Sequence, residues 1–500
     1  MRPGRHLLLD ERGVALPLAM IVLVALTMMV LASLTLAGVE PQISQNLTDT
    51  VRARYLAESG VEWAFRQLAA SPVEGASPYF AASLLTGPDG RQNTADDQQP
   101  TDVPGQNTAA MLTTLGAPSP LPTRTLAEGT YAVTVRNDNL ANDDTFTGIA
   151  VDSGGQFIDD NGIVIVTSTG RFRGATRTVR VAVKRMSIPS FPGAVNLAGV
   201  RADTFLGGNV NAGNASRYDI DGRDYDRSGT RQAANPNKLG IQVQLGMQAD
   251  LGISYEARVE QPFDDAGICT DGDCSPVTKA TNQAARLGIV KGKDQTTGAE
   301  ATGASAIGPD GALTPASMAR FLSEVASNPA TQTLRSTPAC PTVMTGGTSS
   351  ASTTPTLTSG CGPSQTVNLG TTSDPKLVYV RGEPDTGSSF AALTLSGMIQ
   401  GAGILIVEDG ALQQSGTLRW DGLVIVTGRY VSAAFRSGSH TTIYGALTGM
   451  ESLPNDSGGS FDFFLDDNID FRVRASKQNL DMVQQMLSVH KILTWRESPG

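Results

Sequence analysis

Two short tracts of this 500-residue chain crowd oxygen-bearing side chains together. Residues 219–226 read Asp-Ile-Asp-Gly-Arg-Asp-Tyr-Asp, with Asp219, Asp221, Asp224 and Asp226 in eight positions. Residues 88–97 carry Asp89, Asn93, Asp96 and Asp97. Calcium takes six to eight oxygen ligands around a turn, so both tracts are candidate structural Ca²⁺ sites. Neither follows EF-hand spacing. A polar turn that bonds its own backbone is the competing reading for the first. For the second it is a solvated acidic loop. No other cofactor is expected.

Four cysteines, Cys269, Cys274, Cys340 and Cys361, form no Cys-x-x-Cys pair, which argues against a zinc knuckle. An even number in an exported chain reads as disulfides. Cys269–Cys274 and Cys340–Cys361 are favoured, although three pairings are open. Catalytic patterns are missing. There are three histidines, His6, His440 and His490, and no Gly-x-Ser-x-Gly elbow or phosphate-binding Gly-x-x-x-x-Gly-Lys-[Ser/Thr] loop. Ser439 beside His440 reads as a loop pair, so an enzyme is not expected. The formal net charge of −10 and the lack of a basic run argue against nucleic acid as a partner.

The elements that would position these groups begin with the N-terminal segment. No charged residue occurs from Gly13 to Val39, and this run exceeds the ~20 apolar residues that span a bilayer as a helix. Arg2, Arg5 and Arg12 precede it, which places residues 1–13 in the cytoplasm and the rest outside. Beyond it, Ile43, Leu47, Val51 and Tyr55, then Val61, Phe65 and Leu68, recur at helical spacing. The pattern predicts one helix from Val14 to Leu68, about 80 Å long at ~1.5 Å per residue, bent near Pro41.

The Arg12-Gly13-Val14 junction, the apolar run and the tract Tyr55-Leu56-Ala57-Glu58-Ser59-Gly60-Val61-Glu62 together resemble type IV pilins, and PilX-type minor pilins most. The resemblance implies that a prepilin peptidase cuts after Gly13 and leaves Val14 as the new N-terminus. It also implies the inner membrane and other pilins as partners. Major pilins place a glutamate at the fifth mature position, to register against a neighbour's N-terminal amine. Here that position is Leu18, which suits a subunit needing no such partner, such as one at a filament tip.

Residues 71–128 read as a loop-rich insertion. Residues 129–185 alternate in apolar character at Tyr131–Val135, Ile163–Ser168 and Thr178–Lys184, which predicts a small antiparallel sheet. The tract 163–185 also resembles the corresponding strands of PilX-type proteins. Residues 186–375 read as an irregular β and loop region, with 341–373 a Thr-, Ser- and Gly-rich linker. From 376 to 500, glycines at 397, 403, 410, 416, 422 and 428 punctuate apolar stretches. This rhythm suggests stacked short strands, as in a β-solenoid, with a twisted antiparallel sheet as the alternative. Leu480, Val483, Met486 and Leu487 mark a short helix, and a strand closes the chain.

The expected fold is therefore α+β. A long N-terminal transmembrane helix (14–39, continued by 40–70) packs on an antiparallel pilin-like sheet, followed by a large β-rich C-terminal region. The expected role is a low-copy, tip-located minor pilin acting in pilus assembly or surface contact, with a surface or host ligand as a further partner. The alternative is a membrane-anchored adhesin outside any filament.

Overall fold

The computed structural model describes residues 15–68, 85, 129–185, 188–207, 210–248, 251–264, 275–359, 362–383, 390–451, 460–486 and 490–499. The chain forms two units. The first holds residues 1–70, 79–184 and 492–500, and the second holds 71–78 and 185–491. In sequence the second unit is thus an insertion into the first.

Unit one opens with helix α1, Ala15–Leu68, which runs unbroken through Pro41. Strands β1 (Gly129–Asn137), β2 (Ile163–Phe172) and β3 (Ala175–Arg185) pair antiparallel, in register from Gly129↔Phe172 and from Ile163↔Lys184. The sheet order is β1-β2-β3 and then His490–Pro499, so the chain's last strand completes it. Period-two alternation puts Val133, Val135, Val164, Val166, Val179, Val181 and Val183 on one face, where they pack with Ala57, Val61, Ala64 and Leu85 of the first unit.

Unit two is built from two sheets of mainly parallel strands. The chain alternates between them. Asp374–Arg381 lies in the first sheet and Ala391–Ser396 in the second; Met398–Glu408 returns to the first and Ala411–Gln414 to the second. Thr417–Gly428, Tyr430–Phe435, His440–Glu451 and Ser460–Leu465 continue the alternation. Within each sheet successive strands pair in parallel, for example Leu405↔Val424↔Leu447 in one and Leu412↔Ala433↔Phe463 in the other. Parallel pairing rules out the antiparallel alternative for this region. The strands facing inward form one apolar core, with Trp420 wholly buried in it.

Glycine has a defined task here. Gly403, Gly422 and Gly445 stand in lateral register with φ of 118°, 139° and 147°. A Cβ on Gly422 would lie 2.2 Å from the Gly403 carbonyl, and one on Gly445 1.9 Å from that of Gly422. Only glycine tolerates this backbone and this approach.

Residues 186–375 are more regular than their composition predicts. Tyr218–Asp221 pairs in parallel with Asp470–Arg474, and Ala202–Leu206 with Ser460–Leu465, so the start of the unit stacks on its last coil. Among the described residues three α-helices occur here, Tyr255–Asp264, Pro276–Leu287 and Pro315–Ala326. The expected linker contains Thr342–Thr345 paired with Thr356–Ser359 and with Leu393–Ser396. Threonine is a good strand residue, and its neighbours in the sheet are remote in sequence. Helices Pro315–Ala326 and Lys477–Met486 share an apolar core with the outer face of the first sheet.

Candidate functional site: the apolar helix and its sheet

The first half of α1 is the one helix among the described residues that is long and apolar enough to cross a membrane, with a window of mean hydropathy 2.6 and no part of it buried. Its two threonine hydroxyls are internally satisfied: Thr27 Oγ1 donates to the Leu23 carbonyl at 2.6 Å, and Thr35 Oγ1 to that of Ala32 at 2.8 Å. A helix in hydrocarbon must satisfy its polar groups internally in this way. Leu18 is 61% exposed. Gly13 and Val14 lie outside the described residues.

The second half of α1 lies on the sheet through small residues. Ala53, Leu56, Ala57, Val61 and Ala64 are buried. At Gly60 an added Cβ would lie 2.2 Å from Ser168 Oγ, and at Gly170 of β2 it would lie 2.1 Å from the Ala53 carbonyl. The helix backbone therefore sits almost directly on the strand. This corrects the first half of the stripe expected from sequence, since Ile43, Leu47, Val51 and Tyr55 are all exposed, whereas Val61 and Phe65 of its second half do pack on the sheet. Large side chains would hold the helix off the sheet, so the docking face is the small-residue face, which a hydrophobicity pattern underweights. Arg52 lies over the Phe172 ring at 5.0 Å, and Arg54 Nε is 3.3 Å from Glu497 Oε2 of the last strand. The second contact is solvent-exposed and contributes little.

The acidic turn at 219–226 does not converge on one point. Asp219 pairs with Lys291 Nζ at 2.6 Å and with Arg474 at 2.8 Å. Asp221 accepts from Arg223 and, at 2.7 Å, from Tyr225 Oη. Burial pushes the Asp221 carboxyl up, but these hydrogen bonds outweigh it and hold the group below the usual range. Asp224 accepts from Asn235 Nδ2 and from the Lys477 amide, each at 2.6 Å. Asp226 accepts from the amides of Ser228 and Thr230 at 2.9 Å. Each carboxylate is thus committed to protein donors. Among the described residues no three His, Cys, Asp or Glu side chains are arranged to hold a metal ion. Asp89, Asn93, Asp96 and Asp97 lie outside the described residues. So do Cys269, Cys274 and Cys361; Cys340 is disulfide-bonded.

A group that sequence reasoning did not single out as a site is the loop between β1 and β2. Asp138, Asp152 and Asp159 are all buried there. Burial pushes Asp138 up to about 6; hydrogen bonds from Asn161 oppose the shift, and the Asp152 and Asp159 carboxylates add to it. The only sequence signal was the recurrence of Asp and Asn between the strands. His440 Nδ1 sits 2.6 Å from Asp470 Oδ2, which is held in turn by Arg217 at 2.7 Å. Ser439 Oγ is buried with no hydrogen-bond partner, so it is not joined to His440 as a nucleophile would be.

No protein-family model matches the chain, and no curated protein matches it. Among solved structures, the chain is similar to the competence-associated pilin ComZ from Thermus thermophilus, at 14% identity over 91% of this chain and 98% of that one. The TM-score is 0.20, too low for the likeness to carry an argument.

Proposed function

We propose that the chain is a pilin-like structural subunit of a type IV pilus or related filament, held in low copy at or near the tip. The observation that carries this reading is the division of α1 along its length. Residues 15–35 are apolar and exposed, as a segment awaiting lipid or neighbouring helices would be. One face of the segment from Ala53 to Ala64, formed by Ala53, Leu56, Ala57, Gly60, Val61 and Ala64, is buried in unit one. In this reading a prepilin peptidase removes residues 1–13, α1 anchors the chain in the inner membrane with the remainder outside, and other pilins bind its exposed half. Leu18 offers no carboxylate to a neighbour's amine, which suits a position where none must be met. The disulfides and the PilX-type affinity belong to the same reading.

Unit two we read as a β-solenoid closed by its own N-terminal strands. An insertion of this size is hard to repeat along a packed shaft, and a tip position accommodates it. The role is structural rather than catalytic. Intact-mass analysis of the purified chain tests processing: loss of residues 1–13 is expected, and their retention defeats the filament reading. Immunogold labelling of unit two tests position. Label at filament ends is expected, regular label along shafts refutes the tip assignment, and label confined to cell membranes favours the anchored adhesin.

A further inference from the structure

Unit two holds a half-open cavity of about 500 Å³ between helix Pro315–Ala326 and the outer face of the first parallel sheet. This is within the ~300–1,000 Å³ typical of small-molecule sites. Its two walls differ in chemistry. The helix contributes Pro315, Met318 and Leu322, while the sheet contributes Glu408, Thr427 and Glu451.

The strand register explains why polar groups gather there. Glu408 stands opposite Thr427, and Thr427 opposite Met450, the neighbour of Glu451. Glu408, Thr427 and Met450 therefore stand level on three adjacent parallel strands, with Glu451 one residue further along the third. Thr427 is 1% exposed, and its Oγ1 has no hydrogen-bond partner. A buried hydroxyl left this way costs about 1–3 kcal/mol. Glu451 is equally buried; its Oε1 accepts from the Arg201 amide at 2.9 Å, and its Oε2 lies over Gly199. Glu408 accepts a hydrogen bond from Tyr379 Oη. Among the described residues the one cationic side chain lining the cavity is that of Arg381, 3.6 Å from Glu408 and 60% exposed.

We propose that this cavity binds a small organic cation, an ammonium group on a short apolar stem. The ammonium would donate to Glu408 and to the idle Thr427 oxygen, and the stem would lie along Pro315, Met318 and Leu322. An anion would meet Glu408 and Glu451 with one exposed arginine to offset them. A neutral apolar guest would leave Thr427 Oγ1 unpartnered and cover the Glu408 carboxylate without adding a donor to it. The site is built from residues of unit two alone and takes no part in processing at Gly13, so its failure would leave the filament reading untouched, and the reverse holds too.

The test uses the full-length protein in detergent, with calorimetric titration and thermal unfolding. Cadaverine is the probe, with glutarate and 1,5-pentanediol as anionic and neutral probes of equal stem length. Saturable cadaverine binding at a Kd of about 1 mM or below, with a raised Tm and no response to the other two, is expected. Glu408→Gln should weaken binding by about tenfold or more, and Arg381→Ala should tighten it. If Glu408→Gln does not fold, Thr427→Val replaces it with the same expectation. No saturable cadaverine binding, equal binding of glutarate, or unchanged affinity in the folded variant would overturn the assignment.

Discussion

Gly170→Ala is the sharpest probe of how α1 is seated. The new Cβ would stand 2.1 Å from the Ala53 carbonyl oxygen, 2.5 Å from the Ala57 amide nitrogen and 3.0 Å from Leu56 Cβ. The two nearest atoms are backbone, so no side chain can rotate away; the helix itself must lift by about 1 Å. At such a gap the contacts along the seam lose about a quarter to a half of their dispersion energy. Overpacking of this kind costs about 1–3 kcal/mol. Against it stands a gain of about 0.4–1 kcal/mol from the stiffer unfolded chain, so the net loss is about 1–2 kcal/mol. Gly174→Ala, four residues on in the β2–β3 hairpin, is the control. Nothing lies within 4 Å of its Cβ, so only the stiffening gain remains. Hydrogen exchange of full-length protein, read on peptides from 129–184, separates the two because local opening free energies are measured directly. Equal protection in Gly170→Ala and wild type, or equal damage from both substitutions, would refute the close-seated helix.

Gly60→Ala should recover when combined with Ser168→Ala, because the Cβ at 60 meets Ser168 Oγ at 2.2 Å and that buried hydroxyl has no partner; exchange in β2 checks it. In unit two, Trp420→Ala should cost about 3–5 kcal/mol. Gly401→Ala, whose Cβ would lie 2.2 Å from Trp420 Cζ3, should be less damaging in that background than in wild type. Asp138 gives unit one a pH dependence. With its carboxyl near 6 in the fold against 3.8 ordinarily, the folded state keeps a proton that the unfolded state has lost, so stability is highest below about pH 4 and falls by about 1–2 kcal/mol as pH rises through 6. Asp138→Asn should flatten that slope in exchange experiments on peptides from 129–184. Calcium should leave exchange in peptides spanning 218–235 unchanged, since the four aspartates there already accept protein donors; calcium-dependent protection would show the turn opening to take the ion.

The sequence made the periodic elements legible because their physics is local. The apolar run of α1, the alternation at Tyr131–Val135 and Thr178–Lys184, and Leu480 with Val483 in the late helix all point where the structure puts them. The helix face is legible at Val61 and Phe65 but not at its small residues, for a specific reason. Hydrophobic periodicity ranks Ile43, Leu47 and Tyr55 above Ala53, Ala57 and Gly60, whereas close docking selects for smallness. The region 186–375 was opaque because some of its strands pair with residues more than 250 positions away, such as Asp219 with Arg472. Short Thr- and Gly-rich strands look like linker until those partners are known. The cavity at Glu408 was hidden likewise: Glu408, Thr427 and Glu451 are neighbours only through the register of parallel strands.

That the final strand closes unit one bears on how such a chain can work. β3 ends at Arg185, and its sheet neighbour begins at His490, so the pairing must close a loop of about 300 residues. Loop-closure entropy rises only with the logarithm of length, so the thermodynamic cost is modest; the kinetic cost of so remote a contact is larger. Folding unit two first would shorten the effective loop to the distance between its own ends. Until then the edge of β3 presents unpaired amides and carbonyls, the kind of surface that recruits foreign strands. The topology therefore links completion of the helix-bearing unit to completion of the insertion. A chain interrupted anywhere in 185–489 retains α1 but leaves its sheet one strand short.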